Sequence, residues 1–338
     1  MAMRATAVSL IALVLALLAP AANAQIRTEV ITAKPPGGIS ALMLIGARAT
    51  LKNNHRQYFT VTIEAGAAEF DEIDAPPAQP RRTNMLPDGA VSVGTKNIRA
   101  AWLTDPTRRY RHGVIGDAIE AGGLAAETRR GAIQTFKLAK NAVFEDRLAR
   151  LIDMDDDGRD ETLVIKSTLD RGAAIALFKS TNDGLARIAQ SVPIGRANRW
   201  LNIVGAADFD GDGKKEIAAV ITPHIVGRLT LFEVKGDRLA KDGDAFGFSN
   251  HAIGSRQLGW SAILDVNGDG VPDMVLPNAN RRSLRAVSFA GGFKELATAP
   301  VDGNLATAII AADLDGDGRA EILYGLESGR LKIMRFVR

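Results

Sequence analysis

The chain has 338 residues, 42 basic and 39 acidic, with aromatics at 5% and 33 glycines. That mix suits many short strands and tight turns more than a helical bundle. It has no cysteine, which excludes disulfides and a Cys-acylated lipoprotein and leaves packing, sheet pairing and metal as the sources of stability.

Residues 1–24 read as a cleaved signal peptide. Met1–Arg4 is a short basic segment, Ala5–Leu18 an apolar one, and Ala22-Asn23-Ala24 a small-x-small cleavage signal. The apolar run is too short to span a bilayer comfortably, and no other stretch approaches a transmembrane span. The mature chain starting at Gln25 is expected to be periplasmic or secreted.

Four later segments read alike: Asp153-Met-Asp-Asp-Asp-Gly-Arg-Asp-Glu161, Asp208-Phe-Asp-Gly-Asp-Gly-Lys-Lys-Glu216, Asp265-Val-Asn-Gly-Asp-Gly-Val-Pro-Asp273 and Asp313-Leu-Asp-Gly-Asp-Gly-Arg-Ala-Glu321. One such segment is an ordinary solvated turn, whereas four at a period of about 50 residues form a repeat. Calcium is a hard ion that takes six to eight oxygens. Positions 1, 3 and 5 supply inward-pointing side chains: Asp153, Asp155 and Asp157; Asp208, Asp210 and Asp212; Asp265, Asn267 and Asp269; Asp313, Asp315 and Asp317. Position 6 is Gly158, Gly213, Gly270 or Gly318, as a sharp turn with positive φ requires. Position 7 offers only a backbone carbonyl, so its side chain varies among Arg159, Lys214, Val271 and Arg319. Position 9 restores a carboxylate with Glu161, Glu216, Asp273 and Glu321. An EF-hand needs a Glu at position 12 between two helices, but Val164, Ala219, Leu276 and Tyr324 stand there. The flanks are strand-like, as in Glu216-Ile-Ala-Ala-Val-Ile221, so each loop joins two strands. Four structural calcium sites are expected, with loops that repel themselves and carboxylate pKa values raised when no cation is present.

Ala206-Ala-Asp-Phe-Asp-Gly-Asp-Gly-Lys-Lys-Glu-Ile217 and its copies resemble the FG-GAP, or VCBS-type, repeats of integrin-like propellers. The resemblance implies an all-β propeller whose blades carry a calcium loop between their first two strands. Six blades are favoured, seven being the integrin number, with 25–338 one domain, 39–148 degenerate blades and 149–338 the metal-binding repeats. Leu331–Val337 leaves the last repeat one strand short. Thr28-Glu-Val-Ile-Thr-Ala33 resembles Lys294-Glu-Leu-Ala-Thr-Ala299, the fourth strand of the preceding repeat. The N-terminal segment 25–33 is therefore expected to pair with the C-terminal strand and close the ring, removing an exposed sheet edge. Asp105 aligns as a degenerate loop in which Arg109 is expected to replace the cation.

The residues that begin each first strand lie at the end away from the loops. Asn97, Arg99 and Trp102, Arg196, Arg199 and Trp200, Arg256, Gln257 and Trp260, and Asn304 share this register. They form a candidate ligand face, set against the alternative that the tryptophans pack between blades. Outside the loops the surface is basic, with Arg81-Arg82, Arg108-Arg109, Arg129-Arg130 and Arg281-Arg282, which favours a protein or anionic glycan partner from the cell envelope over nucleic acid. No metalloprotease, nucleophile-elbow or dinucleotide motif is present, and the four histidines lack ligand spacing. The sequence reading is a monomeric, non-catalytic binding scaffold; the alternative is a hydrolase or lyase on the same calcium-stabilised scaffold.

Overall fold

The computed structural model describes residues 26–337; the expected signal peptide lies outside them. The described residues form strands, turns and loops, with no helix among them. Alternation explains the strands that have one face covered. Tyr58–Glu64 buries every second side chain, Phe59, Val61 and Ile63. Glu216–Ile221 and Glu321–Gly325 are instead buried throughout, because both of their faces are covered.

Hydrogen bonds gather these strands into four sheets. The first is an antiparallel meander of Ala41–Ile45, Arg48–Lys52, Tyr58–Glu64 and Ala67–Ile73. The second has 13 strands, from Ser92–Val93 to Arg238–Phe246. The third is Ala262–Leu264, Asp273–Pro277, Ser283–Ser288 and Lys294–Pro300. The last comprises Ile310–Ala312, Glu321–Gly325, Leu331–Val337 and the N-terminal Arg27–Ala33.

The N-terminal strand pairs antiparallel with the C-terminal one, from Arg27 opposite Val337 to Ala33 opposite Leu331. Lys332 fastens the seam, donating to Thr32 Oγ1 and Asp302 Oδ2, each at 2.8 Å. Ring closure, however, is corrected. The N-terminal strand is the outermost member of a four-stranded sheet, and none of the four sheets closes on itself. One edge of that strand is used and the sheet ends there.

The first, third and last sheets are four-stranded and blade-like, whereas the units between them are joined into one larger sheet. Gly184–Ser191 pairs in parallel with Arg238–Phe246 through Gln190 and Ser191. Ala142–Phe144 pairs with both Glu120–Thr128 and Glu161–Thr168. These short pairings fuse blade-like units into the 13-stranded sheet. Consecutive units pack face to face. Leu51 and Phe59 meet Leu323 and Ile333; Val275 and Leu284 meet Ile322 and Met334; Val220 and Leu231 meet Met274 and Val287. The series breaks between the first sheet and the start of the second. There the buried cluster of Met85, Ala100, Trp102 and Ala125 includes no residue of the first sheet among the described residues. Arg82 lies over the Trp102 ring instead, 5.4 Å from its centroid.

Candidate metal loops and the opposite face

All four Asp-rich segments are loops joining the first two strands of a unit, and they share one hydrogen-bond pattern. The position 1 carboxylate accepts the position 6 N–H: Gly158 to Asp153 at 3.0 Å, Gly213 to Asp208 at 2.9 Å, Gly270 to Asp265 at 3.0 Å and Gly318 to Asp313 at 2.9 Å. The position 3 side chain accepts the position 5 N–H, through Asp155, Asp210, Asn267 and Asp315. The position 5 carboxylate accepts the position 7 N–H, so Arg159, Lys214, Val271 and Arg319 are held by Asp157, Asp212, Asp269 and Asp317. The position 9 carboxylate reaches back to the position 2 N–H: Glu161 to Met154, Glu216 to Phe209, Asp273 to Val266 and Glu321 to Leu314. That last bond closes the loop across the strand pair and explains why position 9 is buried while positions 3 to 7 are mostly exposed.

The position 6 glycines have φ between 79° and 88°. A second left-handed position went unread in the sequence. Position 4 is Gly211, Gly268 or Gly316 at φ 83°, 73° and 77°, but Asp156 at 55° in the first loop. The signal was present in three of the four copies. Asp tolerates this backbone region better than most residues.

Three loops draw carboxylates together. Asp208, Asp210, Asp212 and Glu216 place ligand oxygens within 4.8 Å of one another, as do Asp153, Asp155 and Glu161, and Asp313, Asp315 and Glu321. The loop of Asp265, Asn267, Asp269 and Asp273 has the same backbone course but makes no such cluster among the described residues. Three clusters of acidic residues are thus placed to coordinate a cation. Their chemistry fits a hard divalent cation: the donors are all oxygens, and Asp153 Oδ1 and Glu161 Oε1 are buried without a hydrogen-bond partner.

Charge in the loops is uneven. Burial, then the charges of Asp210, Asp208 and Asp212, pushes Glu216 up to about 7. Burial likewise raises Asp273 to about 6 and lifts Glu161 and Glu321. The expectation of raised values is corrected at Asp153 and Asp157. Hydrogen bonds from Lys96 and Lys179 hold those two carboxyls below the usual range. The N–H of Lys214, ahead of its ammonium, does the same for Asp212. In the degenerate copy Arg109 does not meet Asp105; it donates to the Ala142 carbonyl, and Lys137 stands 3.6 Å from Asp105 instead.

The candidate ligand residues do not gather at one end of the sheets, and Asn97 lies against the first acidic loop itself. Asn97 clamps the backbone of Asp160, accepting its N–H at 2.6 Å. Arg99 pairs with Glu127 at 3.4 Å, and Arg199 donates to the Asn198 carbonyl. Arg256 bridges Asp88 and Asp117, and Gln257 caps the Gly259 N–H. Trp102, Trp200 and Trp260 are all buried. Trp200 donates to the Glu145 carbonyl and Trp260 to the Thr307 carbonyl, each at 3.0 Å across to a neighbouring unit. The tryptophans are therefore packing residues. Trp260 and Asn304 come together in a cleft of about 290 Å³ that also holds Asn280, Arg281, Arg282 and Glu327.

A buried polar cluster escaped the sequence reading, because its members are far apart in the chain. His112 Nδ1 lies 2.6 Å from Glu145 Oε1, and Ser167 Oγ donates to Glu145 Oε2 at 2.5 Å. His224 and His251 share a 2.8 Å contact beside Trp200, and burial lowers them to about 3 and about 4, so both are neutral. Glu120 is fully buried with neither oxygen partnered; burial first, then Glu145, raises it to about 9.

An FG-GAP-like repeat model matches residues 153–219 and 238–324. An FG-GAP-like repeat is thus present over part of the chain, in line with the FG-GAP/VCBS-type propeller repeats that its loops resemble. Comparison with curated proteins gave no match.

Proposed function

We propose that this protein is an exported, calcium-stabilised β scaffold that works by binding a protein or anionic glycan, not by catalysis. The observation that carries the reading is the division of labour along the sheets. The acidic loops lie at one end, closed by the position 9 carboxylates. A cleft lined by Trp260, Asn304, Arg281 and Arg282 lies at the other. With calcium bound, the loop carboxylates take their ionised form, and the strands they join are pinned. The residues fitted to hold the ion are the side chains at positions 1, 3, 5 and 9 with the carbonyl at position 7.

The opposite end then presents the Arg281 and Arg282 side chains, Arg281 donating to Ser249 Oγ at 3.0 Å, which suits carboxylate- or sulfate-bearing partners. No helix among the described residues is long and apolar enough to cross a membrane. The enzyme reading would rest on Glu120, Glu145 and Ser167. All three are fully buried, so no substrate reaches them without parting the sheets.

Capture of envelope proteins and of an acidic polysaccharide on the immobilised protein, with and without chelator, tests the proposal. Binding that disappears in Arg281→Ala/Arg282→Ala and weakens with chelator supports it. Binding indifferent to both removes the basis for this site.

A further inference from the structure

The four loops share a backbone course but differ in what faces them from the next strand. The residue after each position 9 carboxylate pairs across the sheet: Thr162 with Phe178, Ile217 with Phe232, Met274 with Val287, and Ile322 with Met334. The residue following each partner is Lys179, Glu233, Ser288 or Arg335. In the unit whose loop has lost its acids, Leu124 pairs with Phe136, and the next residue is Lys137, the one beside Asp105. One register position therefore carries a cation where no metal loop exists, a cation in two acidic loops, and none in the other two.

In the first loop the Lys179 ammonium lies 2.9 Å from Asp157, 3.4 Å from Glu161 and 3.7 Å from Asp155. Lys96 comes from the other side to Asp153 at 2.5 Å. In the fourth loop Arg335 pairs with Asp315 and stands 3.4 Å from Glu321. The second loop is the opposite case. Glu233 is held by Lys214 and Lys235, and Lys214 also stands 3.3 Å from Asp212, but no ion pair reaches Asp208, Asp210 or Glu216 among the described residues, and this is the cluster to which four carboxylates contribute.

We infer that this register position sets the calcium affinity of each loop. On the calcium reading above, Asp208–Glu216 is the tight site, while Asp153–Glu161 and Asp313–Glu321 hold a side-chain cation that calcium must displace. A second ligand is still called for in the first loop, where Glu161 Oε1 and Asp153 Oδ1 accept no hydrogen bond although Lys179 and Lys96 are near. A unit positive charge about 5 Å from a divalent ion weakens its binding by about tenfold or more, even in a water-like dielectric.

Calorimetric titration of the mature chain with calcium chloride tests this, with melting curves as the fold control. In the wild type, Asp210→Asn should remove the tightest class of site. Lys179→Met and Arg335→Met should each tighten one weaker site by about tenfold or more and enlarge the calcium-dependent rise in Tm, whereas Lys179→Arg should do neither. Four equally tight ions in the wild type, or Met variants that titrate like it, would overturn the ranking and leave the calcium reading standing. No calcium binding at all would overturn both.

Discussion

Replacing Glu120 by glutamine should flatten the pH dependence of stability. Glu120 is fully buried, neither of its oxygens has a hydrogen-bond partner, and burial with the charges of Glu145, Asp117, Asp88 and Asp146 raises it to about 9. Below the ordinary glutamate pKa of 4.5, folded and unfolded chains both hold the proton, so the residue adds no pH dependence. Above it the unfolded chain releases the proton and the folded chain keeps it up to about 9, so stability falls as pH rises across that window. The limiting slope is about 1.4 kcal/mol per pH unit. Glutamine cannot titrate. The stability of Glu120→Gln relative to the wild type should therefore climb by roughly 2–4 kcal/mol between about pH 5.5 and 8.5. Urea unfolding followed by tryptophan fluorescence at fixed calcium measures it, since loop carboxylates are common to both proteins. Parallel pH curves would show that Glu120 is ionised in the folded state, and the account of its burial would fail.

Three further outcomes follow from the loops and the seams. Chelator should lower Tm by about 5 °C for each loop otherwise held at 100 times its Kd, the equivalent of about 2.7 kcal/mol per site; an unchanged melt would argue against structural ions. Gly227→Ala should cost about 2–4 kcal/mol by denaturant unfolding, because Gly227 has φ 63° and an added Cβ would sit 1.6 Å from the Phe248 carbonyl oxygen. A stability within error of wild type would mean that this turn rearranges freely. Removing residues 26–33 should expose the edge of Leu331–Val337 and produce concentration-dependent association in sedimentation, because the deleted strand pairs along that whole edge. A monomer melting like wild type would show the seam to be dispensable.

The repeat was legible because it is local. Asp, Gly and Glu at fixed offsets within nine residues dictate the loop, since each bond in it joins residues two to seven apart. The terminal strand pairing was legible too, through the likeness of Thr28–Ala33 to Lys294–Ala299 and the missing strand of the last repeat. The position 4 turn could have been read from Gly211, Gly268 and Gly316, with Asp156 as the exception that concealed it.

What the linear pattern could not settle is everything that depends on how the units meet. The strands of neighbouring units fuse through a few edge pairings, such as Gln190 with Arg238, that leave no periodic trace. The three tryptophans share a register yet end up as buried packing residues, because the depth of a site depends on the sheet laid against it. Lys179 and Arg335 are ordinary strand residues until pairing places them beside Glu161 and Glu321, well removed in the chain. His112 and Glu145, or His224 and His251, become neighbours only when distant turns share one end of the molecule. Short-range hydrogen bonding wrote the loops into the sequence, whereas burial and charge pairing across sheets, which decide what each loop and cleft can hold, arose only from the packed fold.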